Sequence, residues 1–132
     1  MADHDPRVSQ FKSRSGAKRI YAALRYSMQG LKTAWKSEHA FRQELLLLAP
    51  ALVVALLLPL SSLKKLALIA VLILVLIVEL LNSAIEAVVD RISFDPHPLS
   101  KNAKDFGSAA VFLALSLAVV TWLVIVAPLF WK

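Results

Sequence analysis

Cysteine is absent from this chain of 132 residues, and glycine occurs three times. Without cysteine there is no disulfide framework and no thiolate chemistry. No Gly-x-x-x-x-Gly-Lys-Ser/Thr loop, Gly-rich kinase loop or His-Arg-Asp triplet is present, so familiar phosphate-handling motifs of soluble proteins are missing. The three histidines show no metal-ligand spacing. Also lacking is the alternation of apolar and polar residues that marks a half-buried strand.

What fills the chain is apolar. It is 58% hydrophobic with a mean hydropathy of +0.67, which is membrane composition. Only helices and closed barrels satisfy their backbone in lipid, and long runs without alternation exclude the barrel. The fold class is therefore an all-α membrane protein. The formal charge of +6 raises the question of nucleic acid. The basic residues lie beside apolar spans, so an anionic membrane surface is the expected partner, and no nucleic acid. The first apolar run starts near Leu45, after a long basic segment, and reads as a span and not a signal peptide.

Taken in order, residues 1–15 form a polar basic tail, and residues 16–37 an amphipathic interfacial helix. In that helix Ile20, Leu24, Met28, Leu31 and Trp35 recur at spacings of three and four, opposite Lys18, Arg25, Gln29, Lys32 and Lys36. Residues 38–132 form a three-span transmembrane domain, with spans at about 40–60, 66–90 and 104–131, each close to the length a bilayer core requires. Glu38 and Arg42 have the i, i+4 spacing of a helical ion pair. Pro50 is expected to bend the first span, and Pro59 with Ser61 and Ser62 to end it. Residues 61–65 are read as the tight connection to the second span, and residues 91–100, with Pro96 and Pro98, as the second loop. Lys101 to Asp105 is read as the start of the third span. Twelve Lys and Arg residues fall in the N-terminal segment and second loop, against Lys64, Lys65 and Lys132 on the other side. That bias puts the N-terminus in the cytoplasm.

One stretch departs from apolar monotony. After an unbroken apolar run over residues 66–78, the second span carries Glu79, Asn82, Ser83, Glu86 and Asp90. At about 100° per residue, Ser83, Glu86 and Asp90 fall within about 40° of Glu79, and Asn82 about 60° to one side. An acid a dozen apolar residues into a span costs several kcal/mol unless it has a partner or a task. The other ionisable groups near the spans, except Lys64, Lys65 and Lys132, collect at the same interface. Three helices cannot enclose so many carboxylates, so a further copy of the chain is expected as cover.

The run Glu79-Leu80-Leu81-Asn82-Ser83-Ala84-Ile85-Glu86-Ala87-Val88-Val89-Asp90 resembles the signature of the prokaryotic-type diacylglycerol kinases. Trp35, Glu38, Ala40-Phe41-Arg42-Gln43-Glu44 and Ala103-Lys104-Asp105-Phe106-Gly107-Ser108-Ala109-Ala110-Val111 resemble other parts of that pattern. The likeness runs from about Arg19 to the C-terminus. It implies a homotrimeric lipid kinase of the bacterial inner membrane, with sites shared between subunits, that phosphorylates diacylglycerol to phosphatidic acid with MgATP. It further implies Glu79 as base toward the lipid hydroxyl, Glu38 and Glu86 as Mg²⁺ ligands, and Asn82, Asp90, Lys104 and Asp105 as the supporting cluster. Arg19, Tyr26, Asp95 and His97 match nucleotide-contact positions, alongside Glu38, Glu86, Lys104 and Asp105. Trp35, Arg42, Glu44 and Ser108 would line the lipid's approach to Glu79.

The residues fit that chemistry on their own terms. Phosphoryl transfer asks a protein for positioning and charge stabilisation more than for covalent steps. A carboxylate for the hydroxyl, hard oxygen ligands for Mg²⁺ and a cation for phosphate all occur on one side of the spans. Three other readings remain open here: an undecaprenol kinase, a proton or cation carrier built on the intramembrane carboxylates, and a small structural protein with a polar interhelical clasp.

Overall fold

The computed structural model describes residues 16–131; the tail at 1–15 lies outside the described residues. Four helices account for nearly all of it: α1 (Gly16–Ser37), α2 (His39–Leu57), α3 (Ser62–Ile92) and α4 (Pro98–Val126), the last followed by a 3₁₀ turn at Ala127–Phe130. Helix α1 forms one unit and the three long helices another. In α1 the apolar residues Ile20, Leu24 and Met28 are exposed. Helices α2, α3 and α4 are each long and apolar enough to cross a membrane.

The helix boundaries follow local chemistry more closely than hydropathy does. Helix α2 stops at Leu57, short of the expected residue 60. Leu58 is extended (φ −61°, ψ 141°) because the ring of Pro59 disfavours a helical residue before it. Pro50 does not interrupt α2, although it removes one backbone donor. The connection to α3 is residues 58–61 and not 61–65: Ser61 caps α3, its hydroxyl accepting from the Lys64 amide, so Lys64 and Lys65 are already helical. Lys65 reaches back and donates from Nζ to the Leu56 carbonyl at 2.6 Å, satisfying an acceptor at the end of α2.

The second loop is likewise shorter than hydropathy suggests, because α4 begins at Pro98 and not at Lys101. Proline is preorganised for the first helical position, and the preceding His97 caps the helix, Nδ1 accepting from the Leu99 amide at 3.2 Å. The far end of α4 tightens into the 3₁₀ turn where Pro128 appears.

Helix α3 is the centre of the bundle, packed extensively on α4 and less so on α2. Its buried positions Leu68, Leu72, Val75 and Glu79 recur at spacings of four, three and four, so they form one inward stripe. The α4 positions that are buried are all small: Gly107, Ala114 and Ala118. Small residues let helix backbones approach closely in lipid, where packing and not hydrophobicity drives association. Val75, Ala114 and Ala118 make the core cluster, with Leu48 of α2 laid against it.

Leu68 is fully buried while Leu63 is 77% exposed. Leu68→Ala is expected to destabilise the folded chain by about 2 kcal/mol or more through the cavity it leaves. Leu63→Ala should leave the unfolding midpoint in detergent unchanged, and equal losses for the two variants would contradict this packing.

Candidate active site

The inward stripe of α3 changes character without changing direction. Leu68, Leu72 and Val75 are followed on the same face by Glu79, which is 4% exposed. Nearer the end of the helix come Asn82, Glu86 and Asp90, each half-buried. At helical rise, Asp90 lies about 16 Å along the axis from Glu79.

Helix α2 brings two further acids to this level. Glu38 occupies the position before its first turn, and its carbonyl accepts from the Arg42 amide at 3.2 Å. The charges of Glu38 and Glu86 both act on Glu79, and Glu79 acts on Glu44. Among the described residues no cation forms an ion pair with Glu79. One oxygen of Glu44, Oε2, is buried with no hydrogen-bond partner among the described residues. The Arg42 guanidinium meets His39 Nδ1 at 2.7 Å, a contact the i, i+4 reading of Glu38 and Arg42 did not include.

Helix α4 supplies the cations. Lys104 Nζ pairs with Asp90 Oδ1 at 2.6 Å and ties α4 to the polar end of α3, and the charge of Glu86 also acts on it. Both side chains of that pair remain 41% exposed, so the ammonium is open to an incoming anion. Asp105 is held by Lys101, one turn earlier on the same helix, and is more than half exposed. In letters Asp105-Phe106-Gly107 reproduces a soluble-kinase triplet, but it lies inside α4 and not in the loop context that triplet requires. Ser108 is exposed on α4.

Beside the Asp90–Lys104 pair opens a cleft of about 600 Å³, lined by Ser93, Asp95, His97 and Lys101 among others. Ser93 shapes its floor by accepting from the Asp95 amide at 2.9 Å. Because Nδ1 of His97 accepts the cap bond, its neutral ring carries the proton on Nε2, a donor available to the cleft. Arg19, Tyr26 and Trp35 belong to α1; there the Arg25 guanidinium lies 5.6 Å from the Tyr26 ring centroid.

Two features of the site were not singled out from sequence. The Asn82 amide donates from Nδ2 to Glu86 Oε1 at 3.3 Å, linking neighbours in the stripe. Gly107 lies directly against that amide. The available signal was a lone glycine in a glycine-poor third span, but the facing residue is visible only across helices.

Among the described residues no three His, Cys, Asp or Glu side chains gather closely enough to cage a metal ion. A pair of carboxylates is nevertheless a fitting donor set for Mg²⁺ that arrives on phosphate oxygens and keeps some of its water. Glu38 and Glu86, both near Glu79, are such a pair.

Residues 25–126 match the model of the family described as prokaryotic diacylglycerol kinase. Arg19 precedes that match. The chain is 55% identical over 114 residues to the diacylglycerol kinase of Pseudomonas aeruginosa, covering 86% of this chain and 93% of that protein. It is 50% identical over 111 residues to the diacylglycerol kinase of Escherichia coli strain K12, covering 84% and 91%. The diacylglycerol kinase of Haemophilus influenzae is 42% identical over 108 residues, covering 82% and 92%. With a stripe of acids set into a three-helix apolar bundle and matches of this extent, the chain belongs to the prokaryotic diacylglycerol kinase family.

Proposed function

We propose that the chain is a multi-pass membrane enzyme that transfers the γ-phosphoryl group of ATP to diacylglycerol, giving phosphatidic acid and ADP. The observation that carries this reading is Glu79: a buried acid within a helix apolar enough to cross a membrane, with no cation paired to it among the described residues. A hydroxyl is the neutral partner such a carboxylate lacks. Glu79 accepts the hydroxyl hydrogen bond and orients the oxygen toward the γ-phosphorus. As the new O–P bond forms, the bond from the γ-phosphorus to the bridging oxygen of ADP breaks, and the hydroxyl proton passes to Glu79.

The remaining residues take their parts from position. Lys104, tied to Asp90 but half open, offsets phosphate charge, and the adjoining cleft with His97 and Asp95 receives the nucleotide from water. Glu38 and Glu86 would hold Mg²⁺, whose contribution when bound is to neutralise charge on the β- and γ-phosphates. Glu44, Ser108 and Arg42 serve the lipid's approach, and Asp105 the nucleotide. Asn82 supports Glu86.

The positive-inside bias supports placing the N-terminus and the 93–97 loop in the cytoplasm of a bacterial inner membrane, with residues 16–37 lying in the interface. Half-buried Asn82 and Glu86 in a membrane helix support cover by a further copy of the chain, and the family likeness supports a homotrimer in which that copy completes the site. A proton carrier fits less well, because residues 66–78 of α3 offer no polar step toward the far side.

Two outcomes are expected. Glu79→Gln should lower ATP-dependent phosphorylation of diacylglycerol in mixed micelles by about 10³-fold, the order expected for loss of a general base. The same variant should be more stable than the parent by about 1 kcal/mol in equilibrium unfolding, since it replaces a buried acid that neighbouring acids repel with a neutral amide. Retained turnover would end the assignment of Glu79, and phosphorylation of undecaprenol in preference to diacylglycerol would change the acceptor. Lys104→Ala should raise the KM for ATP while leaving that for diacylglycerol unchanged; the reverse pattern would place the nucleotide elsewhere.

A further inference from the structure

Of the three glycines, Gly16 and Gly30 have open space where a Cβ would stand. At Gly107 that space belongs to the Asn82 carboxamide: an added carbon would lie 3.2 Å from Cγ and 3.7 Å from Cα, and would collide with Oδ1. The backbone of Gly107 has no positive φ, so a left-handed conformation is not why glycine stands there. Close approach of the helices is not a sufficient reason either, because the same buried seam of α4 continues through Ala114 and Ala118, which carry methyl groups. A side chain at this level would have to displace the Asn82 carboxamide in particular.

The fit controls which way the amide faces. Oδ1 of Asn82 is buried without a conventional hydrogen-bond partner and abuts the Cα–H surface of Gly107, a weak contact typical of tightly packed helices. Nδ2 is thereby turned to donate to Glu86. Reversing the amide would set a carbonyl oxygen against a carboxylate, two acceptors facing one another.

We propose that Gly107 is a positioning residue: it leaves room for the Asn82 carboxamide in one orientation, and through it holds the Glu86 carboxylate where it meets the metal–nucleotide. This rests on the assignment of Glu86 made above. It also explains why a helix that otherwise packs through alanine has a glycine at this one level. Partners that orient a ligating carboxylate typically change metal affinity about 10-fold or more when removed.

The test is Mn²⁺·ADP binding to the full-length protein in detergent, read from the electron paramagnetic resonance of free Mn²⁺, with no lipid acceptor present. Gly107→Ala is expected to weaken binding about tenfold, with helix content and oligomer size unchanged. Asn82→Ala should weaken it by a similar factor. The double variant should bind no more weakly than Asn82→Ala alone, because the added methyl then has no amide to displace. In turnover the KM of Gly107→Ala for diacylglycerol should match the parent's. If Gly107→Ala fails to assemble, the double variant should recover assembly, and failure to recover overturns the proposal. So do losses that simply multiply in the double variant. A parent that binds Mn²⁺·ADP and a Gly107→Ala variant that binds it equally well refute this proposal alone. A parent that binds none refutes the metal–nucleotide reading and this proposal with it.

Discussion

A buried carboxylate is costly where water does not solvate it, and Glu79 is such a group, 4% exposed on a helix apolar enough to cross a membrane. Glu79 sits on the face of α3 that also presents Leu68, Leu72 and Val75 to the interior, so the helix does not turn away to relieve it. It is buried, and the charges of Glu38 and Glu86 act on it with no ion pair to offset them among the described residues. Such a group is costly in lipid, and in membrane proteins that cost goes with function. A lipid hydroxyl reaching Glu79 would give it the hydrogen-bond donor that the protein withholds.

The bundle divides along its length into an apolar part and a polar part. Toward the 58–61 turn, contacts are apolar: Leu68 and Leu72 of α3, then Val75 against Ala114 and Ala118. The Lys65 reach to the Leu56 carbonyl closes that end. Toward the 93–97 loop the contacts become polar, with Asn82 on Glu86 and Asp90 on Lys104. Polar contacts between half-exposed groups contribute little to stability. The arrangement therefore leaves the apolar end to maintain the register between helices.

The seam between α3 and α4 connects the two parts. Large side chains on α3 face small ones on α4, which allows a close approach throughout. The same approach that packs Val75 on Ala114 brings Asn82 onto Gly107, so the geometry of the polar stripe is inherited from apolar packing. This is a reason for site and scaffold to share helices, since a stripe on loops would lack such support.

Much of this was legible from periodicity. Helical class, three spans and the alignment of Glu79, Glu86 and Asp90 all depend on spacing within one helix, which is set by backbone geometry alone. The ends of helices were misplaced by three or four residues where hydropathy was the guide. A serine cap at Ser61, a proline at the first position of α4 and the restriction Pro59 places on Leu58 override it through local hydrogen bonds and sterics. The partners across helices were not legible at all. That Lys104 takes Asp90, and that Gly107 meets Asn82, depends on the relative rotation and height of α3 and α4. Packing of side chains distant in sequence sets those two quantities, and no pattern within one helix encodes them.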